Sequence, residues 1–119
     1  MEEGWTAALL HLLREELPAL VLLQEAAPAP QRYVIEERLR IWADEEELDL
    51  ILTVGGTFPA PGPSGLEIAP EATRSVLERE MPSLPETMRA SALDEFPLAL
   101  LDRGVAGIRG RTLLLNLPG

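Results

Sequence analysis

The sequence predicts an α/β fold in which apolar strands alternate with amphipathic helices. In the first half, leucines at helical spacing precede a short apolar run, and the same order repeats with a second helix and a second run. This alternation is typical of a parallel sheet with right-handed crossovers. Near the C-terminus, two apolar runs flank a glycine, which predicts an antiparallel hairpin. With 119 residues, 46% of them apolar, residues 1–119 are expected to form a single domain.

The first helix is predicted from Thr6 to Glu16, where leucines recur at helical spacing until Pro18 ends the pattern. The apolar run "ALVLLQE", residues 19–25, predicts a buried strand. The following "AAPAP", residues 26–30, is too rich in proline for regular structure. We therefore expect a loop at the C-terminal end of that strand.

A second helix is predicted for residues 31–47, whose apolar side chains recur at helical spacing before a charged tail. The run "LDLILTV", residues 48–54, is apolar almost throughout, as is typical of a strand covered on both faces. Gly55 and Gly56 follow it directly, so the strand is expected to end in a tight glycine turn.

The second half is predicted to begin with helices. Pro70 suits the first turn of a helix that continues through "EATRSVLEREM" to Met81. Residues 82–96 form a further helical stretch interrupted by prolines. Residues 97–101 then link this stretch to the C-terminal part.

The C-terminal part is predicted to be a hairpin of "GVAGI" (104–108) and "RTLLLNL" (111–117), with Gly110 in the turn. The opposite end of the chain is unusual for a doubly wound domain. Such a domain usually starts with a strand, whereas this sequence starts with a helix. A sheet without its first strand has an uncovered edge, which favours self-association.

Composition limits the chemistry and the partners of the chain. The net charge is −10, so nucleic acid and anionic membranes are not expected as partners. All ten basic residues are Arg, which excludes a P-loop or Schiff-base lysine, and the absence of Cys excludes thiolate chemistry. His11 is expected on a helix face. Because the start "MEEG" is acidic and no apolar run is long enough for a bilayer, we expect a cytoplasmic protein.

The residues after the second strand are the candidate ligand site. Gly55 and Gly56 could bring backbone amides close to a phosphate, and Thr57 could add a hydroxyl. Ligands of open α/β sheets bind at the carboxyl ends of the strands, which is where this loop starts. The alternative is a tight turn that serves folding alone.

Three segments resemble one known family. "LDLILTVGGT", "PEATRSVLEREMPSLPETMRASAL" and "VAGIRGRTLLLNLPG" occur in this order, and together they are similar to the molybdenum-cofactor biosynthesis domain of bacterial molybdopterin adenylyltransferases and gephyrin. The resemblance covers residues 48–119 and extends more loosely back to Trp5. It implies a three-layer α/β/α sandwich around a mostly parallel sheet, with the first family strand missing here. It also implies a homotrimer or a multiple of it, with molybdopterin as the ligand and Mg-ATP as the AMP donor.

The resemblance also implies site residues. Gly55, Gly56 and Thr57 correspond to the loop that binds the ligand. A second ligand-side turn corresponds to Asn116, Pro118 and Gly119. Arg89 and Ser91 lie in "MRAS", a segment near subunit contacts in relatives, where a structural role is the favoured interpretation. Glu67 is the remaining candidate for the catalytic and metal-binding carboxylate, in the position of an Arg-Asp pair.

Other positions depart from the family pattern. Pro30 stands where relatives carry an Asp, Phe58 replaces a glycine of the loop, and about four residues are inserted before Glu67. Since Mg²⁺ is held by carboxylates during phosphoryl-group chemistry, these changes predict weakened adenylyl transfer. The alternatives are a non-catalytic oligomerising paralogue and, less favoured, the related domain of competence-damage-type nucleotide-cleaving proteins.

Overall fold

A computed structural model describes residues 3–28, 31–54, 57, 68–95 and 97–117. The helices are, in chain order, α1 (Glu3–Glu16), α2 (Arg32–Arg40), which continues into the π-helical turn Ile41–Glu45, α3 (Ala69–Val76), α4 (Ser83–Ala92) and the 3₁₀ turn Pro97–Leu101. The strands are β1 (Leu50–Val54), β2 (Arg79–Glu80), β3 (Ala106–Arg109) and β4 (Thr112–Leu117). The predicted α/β class is confirmed. No helix in the described ranges is both long enough and apolar enough to span a membrane.

The described strands form one mixed sheet in the order β1-β4-β3-β2. β1 and β4 are parallel, with Ile51 opposite Leu114, whereas β3 is antiparallel to both β4 and β2. The predicted C-terminal hairpin is confirmed. Its turn contains Gly110 at φ +58°, a left-handed conformation that glycine adopts without steric cost.

The strand predicted for residues 19–25 is wrong. From Leu20 to Pro28 the backbone has no regular secondary structure, and the side chains of Val21 and Leu23 are 67% and 68% exposed. A strand forms only where a neighbouring strand accepts and donates its backbone hydrogen bonds. In the part of the chain that the structure describes, no strand pairs with this apolar run, and β1 lies at the edge of the sheet. The described sheet is therefore mixed, with one parallel pair.

The third predicted helix is shorter than expected. It ends at Val76 instead of Met81, because the next residues pair with β3. The N–H of Glu78 donates to the carbonyl of Ile108 over 2.8 Å, and the N–H of Met81 donates to Ala106 over 2.8 Å. The segment "EREM" therefore has a helix-like sequence pattern but is extended, because it pairs with β3, which is distant in the sequence.

One hydrophobic cluster joins α2, α3, β1 and β4. Its fully buried members are Leu39, Ala43, Ile51, Val76 and Leu114. Burying a side chain of the size of Leu, Ile or Val contributes roughly 1.5–3 kcal/mol relative to leaving it exposed. This cluster fixes β1 beside β4 and places α3 over the pair, and so determines the position of the strand ends.

Candidate functional site

The candidate site lies where the parallel strands β1 and β4 end side by side. Thr53 is opposite Asn116 and Val54 is opposite Leu117, so the carboxyl ends of the two strands lie side by side. Open α/β sheets bind ligands at the carboxyl ends of their strands. The predicted site residues Gly55, Gly56, Glu67, Pro118 and Gly119 lie outside the described residues.

Thr57 is fully buried and is only partly satisfied by the protein. Its carbonyl oxygen accepts a hydrogen bond from the backbone N–H of Arg103 over 2.7 Å. Its hydroxyl oxygen is buried and has no hydrogen-bond partner in the described chain. An unsatisfied buried polar group costs about 1–3 kcal/mol, so a hydroxyl in this state calls for a bonding partner beyond the described residues.

Asn116 is 2% exposed, and its side chain is occupied by the protein itself. Its amide nitrogen donates to the hydroxyls of Thr53 and Thr73 over 2.7 and 2.9 Å. Its amide oxygen accepts from the N–H of Val105 over 3.0 Å. These bonds join β1, α3, β4 and the segment before β3, so Asn116 holds the floor of the site. The backbone N–H of Asn116 also donates to the carbonyl of Val105 over 3.0 Å, so a ligand contact by its side chain has to use the second lone pair of the amide oxygen.

Glu71 and Arg103 form the side of the site. The guanidinium of Arg103 donates to one carboxylate oxygen of Glu71. The backbone N–H of Arg103 donates to the carbonyl oxygen of Thr57. The other carboxylate oxygen of Glu71 is buried and, like the Thr57 hydroxyl, has no partner within the described ranges. The sequence pattern did not indicate either residue, although Glu71 lies in the "PEAT" segment. The one local signal was an acidic residue in the first turn of a helix, where a carboxylate is favoured.

Helix α4 supports the turn that carries Arg103. Arg89 donates to the carbonyl oxygens of Asp102 and Gly104 over 3.2 and 3.3 Å, and the N–H of Gly104 donates to the Asp102 carboxylate over 2.8 Å. The predicted site residue Ser91 lies on the same helix but is exposed. Within the described residues, Arg89 and not Ser91 connects α4 to the site.

The perturbed ionisable groups lie outside the site. Hydrogen bonds from Ser75 and Arg32 lower the pKa of Glu36 on α2. The guanidinium of Arg109 similarly lowers the pKa of Asp44 by donating to both carboxylate oxygens over 3.0 and 2.8 Å. These pairs tie α2 and its π-helical turn to α3 and β3, and they are structural.

His11 and the remaining carboxylates do not form a metal centre in the described part of the chain. His11 lies on α1 with its imidazole 3.3 Å from the exposed carboxylate of Glu15 one turn later, which confirms its prediction as a helix-face residue. The described ranges contain no group of three or more His, Asp or Glu side chains that could hold a metal ion.

Comparison with known proteins relates the chain to molybdenum cofactor synthesis. No family model matches the sequence. The chain is 45% identical over 89 residues to the Drosophila melanogaster molybdenum cofactor synthesis protein cinnamon, a match of 75% of this chain and 14% of that protein. It is 43% identical over 91 residues to the molybdopterin adenylyltransferase of Helicobacter pylori strain J99, a match of 76% of this chain and 49% of that protein. The chain thus spans about half the length of this adenylyltransferase.

Solved structures of molybdopterin biosynthesis proteins are similar to this chain in fold. The Thermus thermophilus molybdopterin biosynthesis enzyme MoaB is 50% identical with a TM-score of 0.70, and the match covers 92% of this chain and 68% of MoaB. A molybdopterin biosynthesis protein from Mycobacterium abscessus is 34% identical with a TM-score of 0.80, and the match covers 95% of this chain and 68% of that one. The likeness extends over almost the whole chain and agrees with the α/β architecture.

Proposed function

Because the chain belongs to the family of molybdopterin biosynthesis proteins that includes MoaB and MogA, we propose that it binds molybdopterin through the loop after β1. The terminal phosphate of the ligand accepts hydrogen bonds from the amides of Gly55 and Gly56 and from the hydroxyl of Thr57. Pro118 and Gly119, which follow Asn116, hold the ligand from the neighbouring strand end. A ligand-binding role of Ser91 on α4 is proposed from the family resemblance alone, because its side chain is exposed.

One observation carries this proposal. The hydroxyl of Thr57, three residues after the end of β1, is buried without a partner among the described residues. A phosphate oxygen would accept a hydrogen bond from this hydroxyl, which has no partner in the described chain. The guanidinium of Arg103 also lies at the side of the site, where it is paired with the carboxylate of Glu71.

Molybdopterin binding by Thr57→Val tests the proposal. Valine keeps the shape of the side chain and removes the hydroxyl, so the affinity measured by anaerobic calorimetry should fall by about tenfold, the effect of one lost hydrogen bond. Thr57→Ser should bind like the wild-type protein. The matched control is Thr87→Val, on the exposed side of α4, which should leave the affinity unchanged. Equal affinity of Thr57→Val and wild type would reject the phosphate position, and no binding by the wild-type protein would reject the function.

Adenylyl transfer from Mg-ATP is the second part of the proposal. Following the family resemblance, Mg²⁺ would be held by Glu67 together with the phosphates of ATP. Among the described residues no group of three or more His, Asp or Glu side chains could hold the ion by itself. Pro30 in place of the family Asp supports slow transfer, since it removes one metal ligand. AMP incorporation into molybdopterin by the wild type, and its loss in Glu67→Gln, would support this role. Pterin binding without AMP incorporation would identify the alternative, a non-catalytic paralogue that keeps the fold.

A homotrimer is the proposed assembly. Two separate features support it. The outer edge of β1 has no strand partner in the described ranges, and the segment after α1 exposes the apolar side chains of Leu17, Val21, Leu22 and Leu23. Uncovered edges and apolar patches of this kind favour association. The cytoplasmic location and the single domain over residues 1–119 remain predictions from the sequence.

Light scattering over a range of protein concentrations tests the assembly. The double variant Val21→Asp/Leu23→Asp places two charges in the apolar segment and should convert the trimer to a monomer. The matched control is Leu98→Asp, which replaces a similarly exposed leucine of the 3₁₀ turn and should keep the trimer. A wild-type protein that is monomeric at every concentration would contradict the proposal.

A further inference from the structure

We infer that Glu71 is a positioning residue for the ligand loop, acting on Thr57 through Arg103; this inference rests on the proposed pterin function. The carboxylate of Glu71 fixes the guanidinium of Arg103, and the backbone N–H of Arg103 fixes the carbonyl of Thr57. Glu71 need not touch the phosphate for this role. It determines where the hydroxyl that touches the phosphate is held.

Arg103 is the connection between two different elements. Its backbone reaches the segment after β1 with a short hydrogen bond of 2.7 Å to the carbonyl oxygen of Thr57. Its side chain reaches α3 by an ion pair with Glu71. Because the held carbonyl restricts the peptide that follows Thr57, a displacement of Arg103 is transmitted to the position of the Thr57 side chain.

Glu71 is carried by a rigid part of α3. Its neighbours in the chain, Pro70 and Ala72, are both buried, and the next residue, Thr73, is held by the amide of Asn116. A carboxylate mounted on such a helix is a fixed anchor, whereas the turn containing Arg103 lies outside helices and strands. The ion pair therefore aligns the turn with the helix.

The turn does not depend on this ion pair for its own folding. Arg89 donates to the carbonyl oxygens of Asp102 and Gly104, and these bonds do not involve Glu71. The Glu71 and Arg103 side chains are 32% and 42% exposed, and ion pairs at such positions contribute little to overall stability. Loss of the pair should consequently change the loop position and the ligand affinity much more than the thermal stability.

The experiment compares Glu71→Ala and Glu71→Gln with the wild-type chain. Glutamine keeps an oxygen that can accept from Arg103, and alanine does not. In Glu71→Ala, amide hydrogen exchange at Arg103, followed by NMR without ligand, should accelerate by about tenfold or more, and anaerobic calorimetry should give a similar loss of molybdopterin affinity. Glu71→Gln should lie between wild type and Glu71→Ala in both measurements.

The matched control is Glu80→Ala, which breaks the exposed ion pair of Arg74 with Glu80. It should leave both the exchange at Arg103 and the pterin affinity unchanged. Wild-type exchange at Arg103 in Glu71→Ala would overturn the inference, and so would faster exchange with unchanged pterin affinity. If the wild-type protein itself binds no pterin, the proposed function fails and this inference fails with it, an outcome that the wild-type titration alone identifies.

Discussion

The side-chain amide of Asn116 donates a hydrogen bond of 2.9 Å to the hydroxyl of Thr73, at a point from which solvent is excluded. Residues 43 positions apart in the sequence are thereby joined, and β4 is tied to α3. The same amide also bonds the hydroxyl of Thr53 on β1. The floor of the candidate site is thus a polar contact inside an otherwise apolar layer.

Asn116→Ala should be strongly destabilising. The change leaves the N–H of Val105 buried without its acceptor and removes a partner from two threonine hydroxyls, which together should cost about 3 kcal/mol. The free energy of unfolding from urea denaturation at a fixed protein concentration measures this cost. The matched control Thr87→Ala removes a side-chain bond on the exposed side of α4 and should change stability by less than about 0.5 kcal/mol. A loss of comparable size in both variants would contradict the role of Asn116.

Thr57→Val and Thr73→Val should have opposite effects on the ligand-free protein. Both threonines are fully buried, but the Thr73 hydroxyl accepts from Asn116, whereas the Thr57 hydroxyl has no partner in the described chain. Removing the unpartnered hydroxyl should leave stability unchanged or raise it by about 1 kcal/mol, and removing the bonded one should lower it by about 1–2 kcal/mol. Urea denaturation of the two variants provides the comparison. A loss in Thr57→Val equal to that in Thr73→Val would mean that the Thr57 hydroxyl is satisfied within the protein.

Acid should weaken the fold partly through Asp44. Because Arg109 donates to both its carboxylate oxygens, the pKa of Asp44 in the folded protein lies below its ordinary value of 3.8. The unfolded chain then binds more protons than the folded chain in this range, so the free energy of unfolding rises with pH there. The stabilisation is present above the ordinary pKa and is lost as the pH falls through the lowered one.

Asp44→Asn tests this acid dependence. The stability difference between wild type and Asp44→Asn should be constant near neutral pH and should shrink as the pH falls below about 4. Urea denaturation from about pH 6 to about pH 2 measures it. The matched control is Asp94→Asn, which removes an exposed carboxylate in the turn after α4 and should show a smaller pH dependence. A stability difference that stays constant over the whole range would exclude Asp44 as a source of acid sensitivity.

Gly107→Ala should be much more damaging than Gly110→Ala. A Cβ atom at position 107 would clash with the carbonyl oxygen of Arg79 and would lie 2.6 Å from a methyl carbon of Leu77. The backbone of β2 would have to move, at a cost of about 3 kcal/mol. A Cβ atom at position 110 meets nothing within 4 Å, so only the left-handed backbone opposes it, at about 1 kcal/mol. If urea denaturation gave equal losses of unfolding free energy for the two variants, the backbone of β2 would be shown to move aside at no energetic cost.

Local sequence patterns were sufficient to predict an element where neighbouring residues along the chain determine its conformation. The hairpin around Gly110 follows from two apolar runs and a glycine, and the strand ending at Val54 follows from a continuous apolar run. The run 19–25 has the same local character but forms no strand, because pairing needs a neighbour that no local pattern reveals. β2 is the opposite case, a strand that the local pattern did not predict. Its residues Arg79 and Glu80 have a helical pattern, yet bonds to β3 hold them extended.

The sequence predicted where the candidate site lies, but not all of the residues that form it. The sequence indicated the end of β1, Thr57 and Asn116, and both described residues are buried at that end of the sheet. It did not indicate Glu71 or Arg103, since a charged residue in a surface segment has many possible partners. The predicted ligand contacts of Gly55, Gly56, Glu67, Ser91, Pro118 and Gly119 remain predictions.

By itself, the sequence determined the family resemblance, the α/β class and the place where two strand ends meet, because these follow from motifs and from periodicity along the chain. The tertiary structure alone decided which buried polar atoms of the described residues have hydrogen-bond partners and which do not. The Asn116 amide is occupied and the Thr57 hydroxyl is without a partner among the described residues. The physical reason is that the partners of Asn116 come from segments up to 63 residues away, and only folding brings them within hydrogen-bond distance.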